Sequence, residues 1–377
     1  MSLALDLDRP AALHDALTVA LATALADKRR QCELIDPAVG AAAGVLAEFV
    51  LSGGKRLRPT FAWWGWRGAC GDPQPGAVAG EPAEDPADPA VVLRAVAALE
   101  LLQAGALLHD DVLDASTTRR GRPTVHLQLA ELHRASGWLG DPARFGLAGA
   151  ILLGDIALTC ADDLLRDAGL SPEALRRAGA VWTAMRTEVL GGQYLDVRAQ
   201  AAGDETEESA LRVALFKSAA YTVVRPLQLG AAIAGAGEPL MSAYHRFGVD
   251  IGVAFQLRDD LLGVFGDPAV TGKPAGDDLR EGKRTLLVAL ALRRSADGRA
   301  GAAAEVVRRA LGRPGLTEAE LDAARSALVE LGAVHAVEQR IEALTESALA
   351  TLDTAPVTMA AATRLAELAM AATRRTS

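Results

Sequence analysis

The sequence predicts an all-α protein, and three observations carry that prediction. Alanine and leucine dominate the 377 residues, aromatic residues are only 4%, and the long segments repeat apolar residues with a helical period. Alanine and leucine lose little on entering a helix, whereas sheets draw on β-branched and aromatic side chains. The length is compatible with one large helical domain or two smaller ones, and the expectation is a single helical domain over residues 1–377.

Along the chain, Pro10 to Ala26 and Ala41 to Val50 have helical periodicity, and the second runs into LSGGKRLRP at Leu51 to Pro59. Gly53 and Gly54 break the helix, and Pro59 suits the first turn of the next. Lys55, Arg56 and Arg58 are concentrated at that junction, either as a solvated charge run or as an anion site. TFAWWGWR, Thr60 to Arg67, holds three of the five tryptophans, and core or interface packing is the commoner use of such a cluster. Residues 68–90 are rich in proline, glycine and acid and read as a flexible surface loop.

Val91 to Asp114 is the central helix, leading into LLHDDVLDASTTRRGR at Leu107 to Arg122. Asp110 and Asp114 lie one turn apart on one face with Asp111 beside them, so like charges crowd together and a cation is the simplest stabilising partner. Leu99, Leu102, Gln103 and Ala106 continue the face of Asp110 downward as a mainly apolar wall. Gly105 and Ala106 remove bulk about one turn below the acids, for close helix packing or for a slot that takes a greasy tail. Ala115 to Pro123 breaks the helix and carries Arg119, Arg120 and Arg122.

Phe145 to Leu165 and Pro172 to Val197 are helical, with Ser171 as a cap and Pro172 in the first turn. Asp155, amid apolar neighbours, is expected in a buried polar network. Gln193, Tyr194 and Asp196 place polar groups late in the second of these helices. Glu205 to Lys217 and Ser218 to Ala234 follow as helices, with Lys217 among small apolar residues and so either snorkelling or paired with an anion. Met241 to Leu262 delivers a second acidic pair, Asp259 and Asp260, and hands over to a glycine- and lysine-rich loop with Lys273, Asp277, Asp278 and Lys283. The remaining chain alternates alanine-leucine helices with short breaks, and Thr317 with Glu320 has capping-box spacing.

Composition and motif absences narrow the function. A net charge of -9 and the lack of a basic arm argue against nucleic acid. The acidic N-terminus does not read as a signal peptide, no apolar stretch reaches the clean twenty residues that a bilayer span wants, and Cys32, Cys70 and Cys160 lack zinc spacing. A cytoplasmic location follows. There is no GxxxxGK phosphate loop, dinucleotide fingerprint or HExxH helix. The chain instead repeats one device twice, a mostly apolar helix that delivers carboxylates at its end and hands over to a basic loop. Hard oxygen clusters suit magnesium, and lysines and arginines suit a diphosphate carried on a hydrophobic chain. If that diphosphate departs, cations stabilise the charge on its oxygens, and an apolar cavity keeps water from the carbocation left behind.

These residues resemble the head-to-tail polyprenyl diphosphate synthases, also called trans-isoprenyl diphosphate synthases, over most of Leu51 to Leu290. Asp110, Asp111 and Asp114 match the first DDxxD motif, followed by RRGxP, and Asp259 and Asp260 match the start of the second. GGKRLRP, Lys217, Phe255-Gln256 and GKxxGDDLxxGK match further signatures. The resemblance implies an isoprenoid synthase-type helical bundle around a deep central cavity, paired as a homodimer. It implies that Asp110, Asp111, Asp114, Asp259 and Asp260 hold magnesium, three ions with substrate bound, assisted by Arg119, Lys217 and Lys273. It assigns isopentenyl diphosphate to Lys55, Arg58 and Arg120, places Gln193 and Gln256 between the two substrates, and adds Lys283 to the substrate-binding set. The allylic partner would be dimethylallyl, geranyl or farnesyl diphosphate, and proton loss would go to the departing diphosphate.

Two positions depart from the family pattern. Gln103 stands where a histidine often touches isopentenyl diphosphate, and glutamine cannot become a cation. Gly263 takes the last aspartate position of the second motif, with Asp267 a short loop further on. Small Gly105 and Ala106 imply a product of twenty carbons or more, with Leu102 and Leu99 as deeper stops, and geranylgeranyl diphosphate is the first expectation. A class I terpene cyclase and a noncatalytic subunit of a two-component synthase are the rivals. The second-diphosphate residues of GGKRLRP argue against the first, and retention of Asp110, Asp111, Asp114, Lys217 and Lys273 against the second.

Overall fold

A computed structural model describes residues 7–71, 87–267, 275–294 and 301–374. Residues 72–86, the bulk of the expected flexible loop, lie outside that set. The described residues are helical apart from one small hairpin, and they divide into two compact units, residues 1–72, 81–181 and 226–237 in the first and the rest in the second.

The first unit contains α1 (Pro10–Glu33), α2 (Pro37–Leu51), α3 (Leu57–Ala69) and α4 (Pro89–Leu113). The hairpin β1 (Thr118–Arg119) and β2 (Arg122–Pro123) follows, then α5 (Val125–Ala135), α6 (Pro142–Arg166), the start of α7 (Pro172–Ala202), and α9 (Arg225–Ala234). Three of these helices begin with the same dipeptide. Asp36, Asp88 and Asp141 each accept a hydrogen bond from the backbone N–H two residues on, and each is followed by proline in the first turn. The aspartate satisfies a donor that the helix cannot, and proline has no donor to lose there. Ser171 caps α7 from the Ala174 N–H at 3.2 Å, as expected.

Packing in this unit depends on small residues. A Cβ on Gly105 of α4 would lie 2.8 Å from Leu158 Cγ and 2.9 Å from the Gly154 carbonyl oxygen, so α4 and α6 approach closely there. Gly65 of α3 faces the backbone of Leu227 in α9 in the same way. Trp63, Trp64 and Trp66 are buried, with Trp63 and Trp66 rings 5.0 Å apart, which makes the tryptophan cluster core packing. Two helices, α4 and α6, are in fact long and apolar enough to cross a membrane, contrary to the expectation that none would be. They pack as bundle helices, α4 on α6 and α6 on α5.

The second unit takes the rest of α7, then α8 (Glu207–Val213), a π-helical stretch Ala214–Val224, and α10 (Glu238–Phe265). It continues through α11 (Asp277–Glu281), α12 (Leu286–Arg294), α13 (Gly301–Ala310), α14 (Glu318–Glu330), α15 (Ala333–Thr354) and α16 (Met359–Thr373). Leu257, Leu287, Ala304, Leu321, Leu328 and Val337 belong to its core. The capping box at Thr317 and Glu320 forms with both of its hydrogen bonds. The π stretch spans the boundary between the two expected helices, Glu205 to Lys217 and Ser218 to Ala234. Its wider turns lie against glycines, since a Cβ on Gly192 of α7 would come within 2.6 Å of Lys217 Cα, and one on Gly252 of α10 within 2.6 Å of Ala219 Cα. Wide turns of this kind recur at functional sites.

Candidate active site

In the first unit, α4 ends on its acids. Asp110 and Asp111 occupy the last turn and Asp114 is the C-cap residue. That arrangement is unfavourable by itself, because a helix C-terminus carries partial negative charge. Arg119, returning on β1, answers it. Its Nε donates to Asp111 Oδ1 at 2.8 Å and a terminal nitrogen donates to Asp110 Oδ2 at 3.2 Å. Burial alone would lower the Arg119 pKa, but Asp111, Asp110 and Asp114 outweigh it and hold the guanidinium above its ordinary value. Asp111 is buried, and His126 on α5 lies near enough to feel its charge.

A basic group faces the α2–α3 junction. Gly53 and Gly54 have φ 135° and 127°, and Arg56 takes the left-handed φ of 49° at the N-cap of α3. Arg56 is structural, since its buried guanidinium pairs with Glu100 of α4 at 2.5 Å and donates to the Val50 carbonyl at 2.9 Å. Glu100 was not anticipated as its partner. Arg120 reaches the same turn and donates to the Gly53 carbonyl at 2.7 Å. Burial holds the Arg120 guanidinium below its ordinary value, Glu100 opposes that, and Arg56, Arg119 and Arg58 add to it. The junction thus gathers several cations, Arg56 and Arg120 with buried Arg58 and exposed Lys55 beside them. Cations gathered at a glycine turn suit an anion.

On α4 itself, Leu99 and Leu102 are fully buried, while Gln103 and Ala106 are half-buried. Gly105 turns to α6, so its missing side chain is taken up by helix packing and Ala106 is the small residue on the Asp110 face. Asp155 is exposed, 3.6 Å from His109, and is not in a buried network.

In the second unit, Lys217 sits in the π stretch and donates from Nζ to Asp196 Oδ2 of α7 at 2.5 Å, with Gln200 on the other oxygen at 3.3 Å. Lys217 is therefore paired rather than snorkelling, and Asp196, a minor candidate from sequence, is its anchor. Gln193 is half-buried a turn before Asp196. On α10, Gln256 donates to Asp260 Oδ1 at 2.7 Å. Burial pushes the Asp260 carboxyl up to about 8, and Asp278 and Asp259 reinforce it against the Gln256 hydrogen bond. Lys283 lies 2.8 Å from Glu281 and 3.6 Å from Asp278. Asp267 is exposed, and Lys273 lies outside the described residues.

The donor set fits magnesium. Every candidate ligand is a carboxylate, with Arg119 paired to Asp110 and Asp111 in the first cluster, and with Asp260 of the second raised chiefly by burial and further by Asp278 and Asp259. Among the described residues no three His, Cys, Asp or Glu side chains form a ready cage. Magnesium commonly takes one or two carboxylates and completes its shell with water and substrate phosphates.

Helical architecture, paired aspartate clusters and a cation-rich turn define an isoprenoid synthase-type protein, and comparison with known proteins agrees. A geranylgeranyl pyrophosphate synthase from Corynebacterium glutamicum, crystallised with isoprenyl diphosphate and magnesium, superposes with a TM-score of 0.89 at 46% identity, over 99% of this chain and 100% of that one. The geranylfarnesyl diphosphate synthase of Aeropyrum pernix is 32% identical over 86% of this chain and 91% of its own. The geranylgeranyl diphosphate synthase of Mycobacterium tuberculosis is 35% identical over 68% and 67%. Residues 41–326 match the polyprenyl synthetase family. The chain belongs to that family, and it is a prenyltransferase that condenses isoprenoid diphosphates.

Proposed function

We propose that this enzyme condenses isopentenyl diphosphate head-to-tail with an allylic diphosphate to make geranylgeranyl diphosphate. The observation that carries this reading is the presence in one unit of an acidic helix end, Asp110, Asp111 and Asp114, and a separate gathering of cations, Arg58 and Arg120 among them. A condensing enzyme needs two diphosphate sites, whereas a cyclase needs one. Asp110, Asp111 and Asp114, with Asp259 and Asp260, hold magnesium, and its chemistry when bound is to neutralise the oxygens of the departing diphosphate. Lys55, Arg58 and Arg120 orient isopentenyl diphosphate with Gln103 as a neutral donor. Arg119, Lys217, Lys273 and Lys283 stabilise the allylic diphosphate, and Gln193 and Gln256 line the space between. Half-buried Ala106 leaves room for the growing tail, above Leu102 and Leu99.

Residues 1–377 form one synthase domain on this reading, since the chain passes between the two units within α7 and again at Arg225. A homodimer in the cytoplasm is the assembly it implies, and α6 leaves Phe145, Leu147, Ile151 and Leu152 exposed for such a partner. The test is to supply geranyl diphosphate with and without isopentenyl diphosphate. Diphosphate release only when both are present supports condensation. Release and a hydrocarbon product from the allylic substrate alone would identify a cyclase.

A further inference from the structure

The turn of α10 that carries Asp259 and Asp260 also carries Arg258, and its charges face different ways. Successive helical residues are turned by about 100°, so Arg258 and Asp260 lie about 160° apart around the helix. Asp260 is buried and shares its face with Gln256, which donates to it at 2.7 Å. Arg258 turns instead to the helices packed behind. Its two terminal nitrogens each donate to one oxygen of Glu338 on α15 at 2.6 Å, and its Nε donates to the Thr373 carbonyl at the end of α16 at 2.9 Å.

An arginine bound in this way is held in one conformation. The fork fixes the guanidinium plane against Glu338, and the third bond fixes its reach across α10. Only 15% of the Arg258 side chain is exposed, so water competes little for its donors. This end of α10 needs such a hold, because carboxylates gather where the helix C-terminus already carries partial negative charge. Arg325 of α14 gives further support by donating to the Val264 carbonyl at 2.8 Å. An ion pair that merely joins three helices is the ordinary alternative for Arg258. It would stabilise the unit without touching the site.

We propose that Arg258 is a positioning residue for the condensation. Its clamp on Glu338 and on the end of α16 holds the last turns of α10 in the rotation that presents Asp259 and Asp260 to the magnesium of the allylic diphosphate. The inference rests on the function proposed above and adds a residue that acts through that site without touching substrate.

Calorimetric titration of the full-length protein with manganese and inorganic pyrophosphate tests this, with thermal melting and the KM of each substrate, in wild type, R258A, E338Q and R258A/E338Q. Loss of an outer support of a metal site weakens affinity about 10–100-fold, so R258A should bind manganese–pyrophosphate about tenfold more weakly. Its KM for geranyl diphosphate should rise by a similar factor. Its KM for isopentenyl diphosphate should stay as in wild type, because that substrate is assigned to Lys55, Arg58 and Arg120. E338Q keeps the shape of the side chain and should shift the same two quantities the same way by less. The double variant should stay within about twofold of R258A, since both changes remove one contact. An ion pair that serves stability alone would lower the melting temperature and leave the affinity and both KM values unchanged. That result overturns the proposal, and so do equal rises in both KM values. If R258A does not fold, E338Q decides, and wild-type affinity and KM values in it overturn the proposal. Wild type that binds no manganese with pyrophosphate would contradict the proposed function itself, and the inference falls with it.

Discussion

Arg119 spans Asp110 and Asp111 with a guanidinium that is itself mostly buried, so each partner depends on the others. Asp111→Asn would leave that charge undercompensated and remove a proposed magnesium ligand. The expected result is a loss of about 3 kcal/mol in denaturant stability, as for a broken buried pair, and an activity drop of about 10²–10³-fold. On the same helix, Gly105 and Ala106 are neighbours in sequence with different tasks. Gly105→Ala pushes a methyl into Leu158 and the Gly154 carbonyl, and should cost about 1–3 kcal/mol. Ala106→Phe, on the Asp110 face, should leave melting little changed and shorten the product to fifteen carbons, read by chromatography of the dephosphorylated alcohols. The Asp110, Asp111 and Asp114 cluster was legible because it falls within five consecutive residues. The partner Glu100 for Arg56 was not, because 44 residues separate the two.

At the scale of elements, helix content followed from periodicity, and so did most helix starts. Thr317 with Glu320 is read directly from spacing, and Asp36-Pro37, Asp88-Pro89 and Asp141-Pro142 carry the same kind of local signal. α1 runs on to Glu33 rather than stopping near Ala26, because its polar last turns find partners elsewhere, Lys28 on Asp163 at 2.8 Å among them. The π stretch had no local signature. Its geometry depends on Gly192 and Gly252, which belong to α7 and α10, and on Asp196 receiving Lys217. Gly192→Ala should therefore cost about 1–3 kcal/mol through crowding of the Phe216 and Lys217 backbone, and should lower kcat, since Lys217 moves with it. Thr317→Ala, by contrast, should cost about 1 kcal/mol without altering kinetics. Comparing the two variants by melting and by turnover separates a scaffold cap from a segment that positions the site.

For the whole molecule, the family assignment rests on most of the chain, and the relatives at similar identity include both a C20 and a C25 enzyme. On the proposed function, product length is set by Ala106, Leu102 and Leu99 rather than by the shared aspartates. The most direct measurement incubates the purified protein with isopentenyl diphosphate and each of dimethylallyl, geranyl and farnesyl diphosphate, with magnesium and then with a chelator in its place. The account predicts elongation by the protein alone with each primer, ending at twenty carbons, lost on chelation and restored by added magnesium. Elongation that survives chelation, or none at all with magnesium present, would contradict it.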